Sequence, residues 1–107
     1  WYAPLPAGAS FDLIVSNPPY VAAGDAHLAD LLHEPTLALT DGADGLRCLN
    51  IIVGGARQHL RRGGRIVLEH GYDQGPAVTH MLAHAGFRDV TTTKDAAGRD
   101  RVGSGRL

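Results

Sequence analysis

Short apolar runs rich in β-branched residues alternate along this chain with stretches of helical periodicity. Runs of the first kind, typical of buried strands, occupy residues 11–16, 65–69 and 87–93. Apolar residues at steps of three and four predict one helix over residues 45–61 and a second that begins at Pro76 and ends before Gly86. Strands that alternate with helices form parallel sheets with right-handed crossovers, so this order predicts an α/β fold.

The C-terminal end of the chain departs from that alternation. Residues 101–107 predict a last short strand, and no helical pattern separates it from the strand over residues 87–93. Two strands joined without a helix pair antiparallel, so we expect a mostly parallel sheet with a last antiparallel strand. The strand over residues 11–16 would then lie at an edge of the sheet, with unpaired backbone groups and exposed apolar side chains.

Composition narrows the class of protein. The 107 residues are 44% hydrophobic and 20% charged, which suits one small globular domain and excludes wholesale disorder. The net charge of -1 argues against non-specific nucleic-acid binding, and Cys48 alone cannot form an internal disulfide. Because no apolar run approaches the ~20 residues that span a bilayer and no leader pattern opens the chain, we expect a cytoplasmic protein without a membrane partner.

The most informative motif is Asn17-Pro18-Pro19-Tyr20, which directly follows the first predicted strand. Two consecutive prolines remove two backbone donors, so they end the strand in a stiff loop. In open α/β sheets the ligand crevice lies beyond the carboxyl ends of the strands. A second polar cluster, Glu69-His70-Gly71, follows the next strand and is expected at the same edge.

The residue types in this motif suit a planar amide or amino group. The Asn17 side chain and a proline carbonyl can accept hydrogen bonds from the two N–H groups of such an amide, while the Tyr20 ring covers the face of the amide. An amide nitrogen is a poor nucleophile, and such acceptors would orient it for methyl transfer. The alternative interpretation is a rigid turn with an incidental tyrosine.

Beyond the chemistry of the motif, the sequence resembles a known family. Residues 11–21 are similar to the strand and catalytic loop of the class I S-adenosylmethionine-dependent methyltransferases that modify a glutamine in peptide chain release factors. The Asn-Pro-Pro-Tyr element alone is shared with adenine amino-methyltransferases that act on nucleic acid. The stretches His33-Glu34-Pro35, 42–46, 68–71 and 97–102 match the release-factor group in order and approximate spacing.

The resemblance implies a Rossmann-like fold and a role for each motif residue. Asn17 would contact both S-adenosylmethionine and the substrate glutamine, and the Pro18 carbonyl would accept a hydrogen bond from the glutamine amide. Pro19 would hold the loop, and Tyr20 would pack against the glutamine. Trp1 would lie beside the adenine of the cofactor.

The resemblance also implies an incomplete domain. Residues 1–107 correspond to the C-terminal half of the methyltransferase domain, and nothing in them matches the glycine-rich cofactor loop or the N-terminal helical domain. The chain begins at Trp1 without a methionine, so we expect the cofactor half to lie upstream and the fragment alone to be inactive. The expected partners are release factors, with no direct nucleic-acid substrate. The alternatives are a ribosomal-protein glutamine or nucleic-acid adenine methyltransferase, and a non-catalytic remnant.

Six histidines raise the question of a metal site. His80 and His84 lie one helical turn apart and could share a ligand. Because no third ligand with metal-site spacing is evident, we expect both side chains to face solvent and predict no metal.

Overall fold

A computed structural model describes residues 2–6, 8–18 and 46–107. Within that part of the chain, four strands and two helices follow one another in the predicted order, which confirms the α/β fold. They are β1 (Phe11–Ser16), α1 (Arg47–Ala56), β2 (Leu60–Glu69), α2 (Gly75–His84), β3 (Arg88–Lys94) and β4 (Asp100–Arg106). None of the described helices is long and apolar enough to cross a membrane.

The four strands form a sheet in the order β1-β2-β4-β3. β1 and β2 are parallel, whereas β4 is antiparallel to both of its neighbours. β1, β2 and β3 therefore run in one direction and β4 opposes them, which confirms the predicted antiparallel last strand. The insertion of β4 between β2 and β3 places the end of the chain inside the sheet rather than at its edge.

The predicted helix over residues 45–61 is too long at both ends. α1 ends at Ala56 and β2 begins at Leu60, so residues 57–61 are not helical and the pair Gly63-Gly64 lies within a strand. Gly63 has a φ of 83°, which favours glycine, and the register of β1 against β2 shifts in this region. Leu60 continues the helical spacing of apolar residues by coincidence, since it reaches the core from the strand and is 5% exposed.

Both helices cover the same face of the sheet. Ile66 and Leu68 of β2 are fully buried there, in one cluster with the apolar residues of α1 and α2. The opposite face is open among the described residues, because Leu13 and Val15 of β1 are 53% and 67% exposed. The predicted exposed edge strand is confirmed in this part of the chain.

β4 carries glycine at two positions that face the side of the sheet covered by the helices. Gly103 and Gly105 are paired with Leu68 and Ile66 of β2, so their missing side chains would point into the core. A Cβ on Gly103 would lie 2.7 Å from a methyl group of Val78. A Cβ on Gly105 would lie 2.9 Å from the Cβ of Phe87. The close contact of α2 with β4 therefore depends on Gly103, and Gly105 leaves room for Phe87.

Candidate active site

Asn17 and Pro18 lie directly after β1, where the sequence places the catalytic loop. Ser16 is paired with Leu68, so the chain leaves β1 at the end of the sheet where β2 also finishes, the carboxyl end of both strands. Asn17 is exposed and Pro18 is buried, which leaves the Asn17 side chain accessible beside a fixed neighbour. Trp1, Pro19 and Tyr20 lie outside the described residues, and their predicted roles remain predictions.

The turn after β2 is held by buried hydrogen bonds. The His70 N–H donates to the carbonyl of Arg101 at 2.8 Å, which ties the turn to β4. The Gly71 N–H donates to Oε1 of Gln74 at 2.8 Å, and the Gln74 N–H donates back to the Gly71 carbonyl at 2.9 Å. Since both residues of this reciprocal pair are buried, water does not compete with these bonds.

The ring of His70 is fully buried at the same edge. Its Nδ1 lies 2.8 Å from the Gly71 carbonyl, and because a carbonyl only accepts, Nδ1 carries the hydrogen and donates. Nε2 is buried and has no hydrogen-bond partner among the described residues. The ring packs against Gly103 of β4, on the side of the sheet that the helices cover.

The turn between β3 and β4 is organised around Asp95. One carboxylate oxygen accepts the main-chain N–H groups of Ala97 and Arg99 at 2.9 and 3.1 Å, and the other faces the Arg101 guanidinium at 3.3 Å. The Arg99 and Ala97 N–H groups, together with the Arg101 cation, hold the pKa of the Asp95 carboxyl below its usual value. The carboxylate therefore stays charged and continues to fix the turn at neutral pH.

The segment before β1 is anchored by Tyr2, the residue that follows Trp1. The Tyr2 hydroxyl donates to the Ile52 carbonyl at 2.7 Å, and its ring stacks on His59 with 4.5 Å between ring centroids. Burial raises the pKa of the Tyr2 phenol, which keeps the hydroxyl a donor. Tyr2 also lies against Gly55, where any Cβ would approach its ring to 2.7 Å.

Several of these residues carry no recognisable signal in the sequence. Tyr2 and Asp95 become notable only when distant segments meet, although the Asp95-Ala-Ala-Gly stretch is a turn pattern that could have indicated an Asx turn. Among the described residues, no three potential ligands of the His, Cys, Asp or Glu type converge on one point. His80 and His84 are both exposed, as predicted.

Comparison with known proteins gives a consistent set of relatives. The release factor glutamine methyltransferase of Xylella fastidiosa strain Temecula1 is 55% identical over 108 residues, covering 99% of this chain and 39% of the relative. The enzyme of the same name from Bordetella pertussis is 52% identical, covering 100% of this chain and 40% of the relative. The chain is homologous to the release factor glutamine methyltransferases. It spans about two fifths of their length.

A solved structure supports the fold of this chain. The crystal structure of a methyltransferase from Pyrococcus furiosus matches 92% of the chain with a TM-score of 0.63, at 20% sequence identity and over 41% of its own chain. No protein-family profile matches the chain. The predicted methyltransferase-like fold and the predicted family resemblance are both confirmed.

Proposed function

We propose that these residues form the C-terminal half of an S-adenosylmethionine-dependent methyltransferase domain. Its reaction transfers a methyl group to the side-chain amide nitrogen of the glutamine in the Gly-Gly-Gln loop of peptide chain release factors. The observation that carries the proposal is the position of Asn17 and Pro18 at the carboxyl end of β1, in a chain homologous to enzymes named for this activity. Release factors are the proposed partners.

Asn17 is the described residue that fits both cofactor and substrate, because its polar side chain is exposed at the edge where ligands of such sheets bind. When bound, S-adenosylmethionine would supply an electrophilic methyl group: its S–CH3 bond would break as the N–CH3 bond forms, S-adenosylhomocysteine would leave, and the amide nitrogen would lose one proton. The Asn17 side-chain oxygen and the Pro18 carbonyl accept hydrogen bonds from the two N–H groups of the glutamine amide. This draws electron density towards the nitrogen and fixes the direction of its lone pair.

The remaining proposed roles belong to Pro19, Tyr20 and Trp1. Pro19 holds the Pro18 carbonyl in place, because its ring restricts the backbone of the residue before it. Tyr20 covers the face of the glutamine amide, and Trp1 lies beside the adenine of the cofactor. The anchoring of Tyr2 on α1 supports a fixed position for the chain next to Trp1.

The proposal is tested with the full-length protein that contains these residues. It is incubated with S-adenosylmethionine labelled on the methyl group and with purified release factor, ribosomal protein or DNA in separate reactions. We expect label on the release factor, on a fragment that contains the Gly-Gly-Gln loop. Label on the ribosomal protein or DNA alone would contradict the proposal, and no label on any substrate would favour a non-catalytic remnant.

The open face of β1 is where we propose that the cofactor half packs. Replacing Val15, which is 67% exposed in the described part of the chain, by lysine should then bury a charge against the other half of the domain. We expect Val15→Lys to destabilise the full-length protein by about 2 kcal/mol or more in urea unfolding.

The matched control is Ala83→Lys, at an exposed position on α2. We expect it to change the free energy of unfolding by no more than about 0.5 kcal/mol. Equal small effects of the two substitutions would mean that the face of β1 stays in solvent, and the proposed docking would be wrong.

A further inference from the structure

Tyr72 and Arg99 form an exposed pair at the carboxyl end of β1 and β2, the end of the sheet at which Asn17 lies. Tyr72 is 55% exposed, and the Arg99 guanidinium carbon lies 5.4 Å from the centroid of its ring. We propose that this pair is a docking platform for the polypeptide around the target glutamine. The inference rests on the proposed function and extends it to recognition of the protein substrate.

The turn that carries Tyr72 is rigid although Tyr72 itself is exposed. Gly71 and Gln74 flank the exposed residues of the turn, and both are buried and hydrogen-bonded to each other in both directions. The His70 N–H is bonded to Arg101 of β4. The protein thus holds a large aromatic side chain in solvent on a fixed backbone, which lowers the entropy lost when a partner binds it.

The turn that carries Arg99 is equally fixed, by different contacts. The Arg99 N–H donates to the Asp95 carboxylate at 3.1 Å, and the Arg99 carbonyl accepts the Asp95 N–H at 2.8 Å. Both contacts involve main-chain atoms of Arg99, so its guanidinium is left for the Tyr72 ring. Two separately anchored turns therefore meet at this pair.

The position and chemistry of the pair favour a polypeptide as the ligand. Tyr72 follows β2 and Arg99 precedes β4, and Glu69 at the end of β2 is paired with Val102 of β4. Both residues thus lie at the edge where Asn17 leaves β1. Tyrosine and arginine are enriched among residues that dominate protein interfaces, because the ring supplies apolar area and the guanidinium pairs with carboxylates and carbonyls. A substrate loop that brings its glutamine to Asn17 would pass this pair.

The test compares steady-state kinetics of variants of the full-length protein with intact release factor as substrate. We expect Tyr72→Ala and Arg99→Ala each to raise the KM for release factor roughly 5- to 20-fold. We expect kcat to change less than about twofold and the Kd for S-adenosylmethionine to stay the same, because neither side chain is placed at the reacting atoms. Tyr72→Phe keeps the ring and should retain most of the affinity.

Arg62→Ala is the matched control, since Arg62 is an exposed arginine near the opposite end of β2. We expect it to leave KM unchanged. A KM for Tyr72→Ala and Arg99→Ala equal to that of the wild type, in a protein that methylates release factor, would overturn the platform and leave the proposed function standing. Displacement of release factor by a short RNA through the same two side chains would overturn it in favour of a nucleic-acid site. A wild type that methylates no release factor would overturn both proposals.

Discussion

In the full-length protein, we expect Asn17→Ala to lower kcat for glutamine methylation by about 100- to 1000-fold, the scale on which removal of one preorganised hydrogen-bonding group affects catalysis. Alanine removes the side-chain acceptor that is proposed to hold one N–H of the glutamine amide. Because that contact matters most when the nitrogen attacks, the loss should fall mainly on kcat. The measurement is single-turnover transfer of labelled methyl groups to release factor.

A substitution at Asn17 tests catalysis with less effect on folding than a substitution at Pro18. Asn17 is exposed, so its truncation should leave the melting temperature unchanged, whereas Pro18 is fully buried and its replacement would disturb the packing as well. Asn50→Ala is the matched control, because Asn50 is an exposed asparagine on α1. Methylation by Asn17→Ala at the rate of the wild type would remove this side chain from the mechanism.

The parts of the fold that follow from local chemistry are predictable from the sequence. The strand that ends at Ser16 is apolar and stops before two prolines, which cannot continue a sheet, so the position of Asn17 follows from neighbouring residues alone. The antiparallel direction of β4 follows in the same way, from a connection that is too short for a crossover.

The parts that the sequence does not predict depend on contacts between distant segments. Leu60 fits the apolar spacing of α1, and only the pairing of Phe11 with Leu60 in the sheet shows that it belongs to β2. The place of β4 between β2 and β3 is likewise seen only in the pairing of distant segments, in which Gly103 lies between Leu68 and Thr92. Tyr72 and Arg99 lie 27 positions apart in the chain, and two unrelated turns bring them together.

The close approach of α2 to β4 leads to the second large effect, which is on stability. We expect Gly103→Ala to destabilise the full-length protein by about 2 kcal/mol, within the range found for overpacking of a core. The new Cβ would lie 2.7 Å from Cγ1 of Val78, a side chain that is fully buried and, being β-branched, has little freedom to rotate away. The strain exceeds the entropy gained by replacing glycine in a strand, which amounts to about 0.5–1 kcal/mol. The measurement is the free energy of unfolding in urea.

Two further variants show whether the cause is this contact. Gly54→Ala makes the same change in α1 where a Cβ would meet nothing within 4 Å, so it should be neutral or stabilise by up to about 1 kcal/mol. Val78→Ala removes the methyl group that Gly103→Ala strikes, so the double variant should be more stable than the sum of the two single losses predicts. Additive losses of unfolding free energy in that cycle, or a Gly103→Ala protein as stable as the wild type, would show that α2 does not pack tightly against β4 at this point. The glycine at position 103 would then need a cause other than the packing of α2.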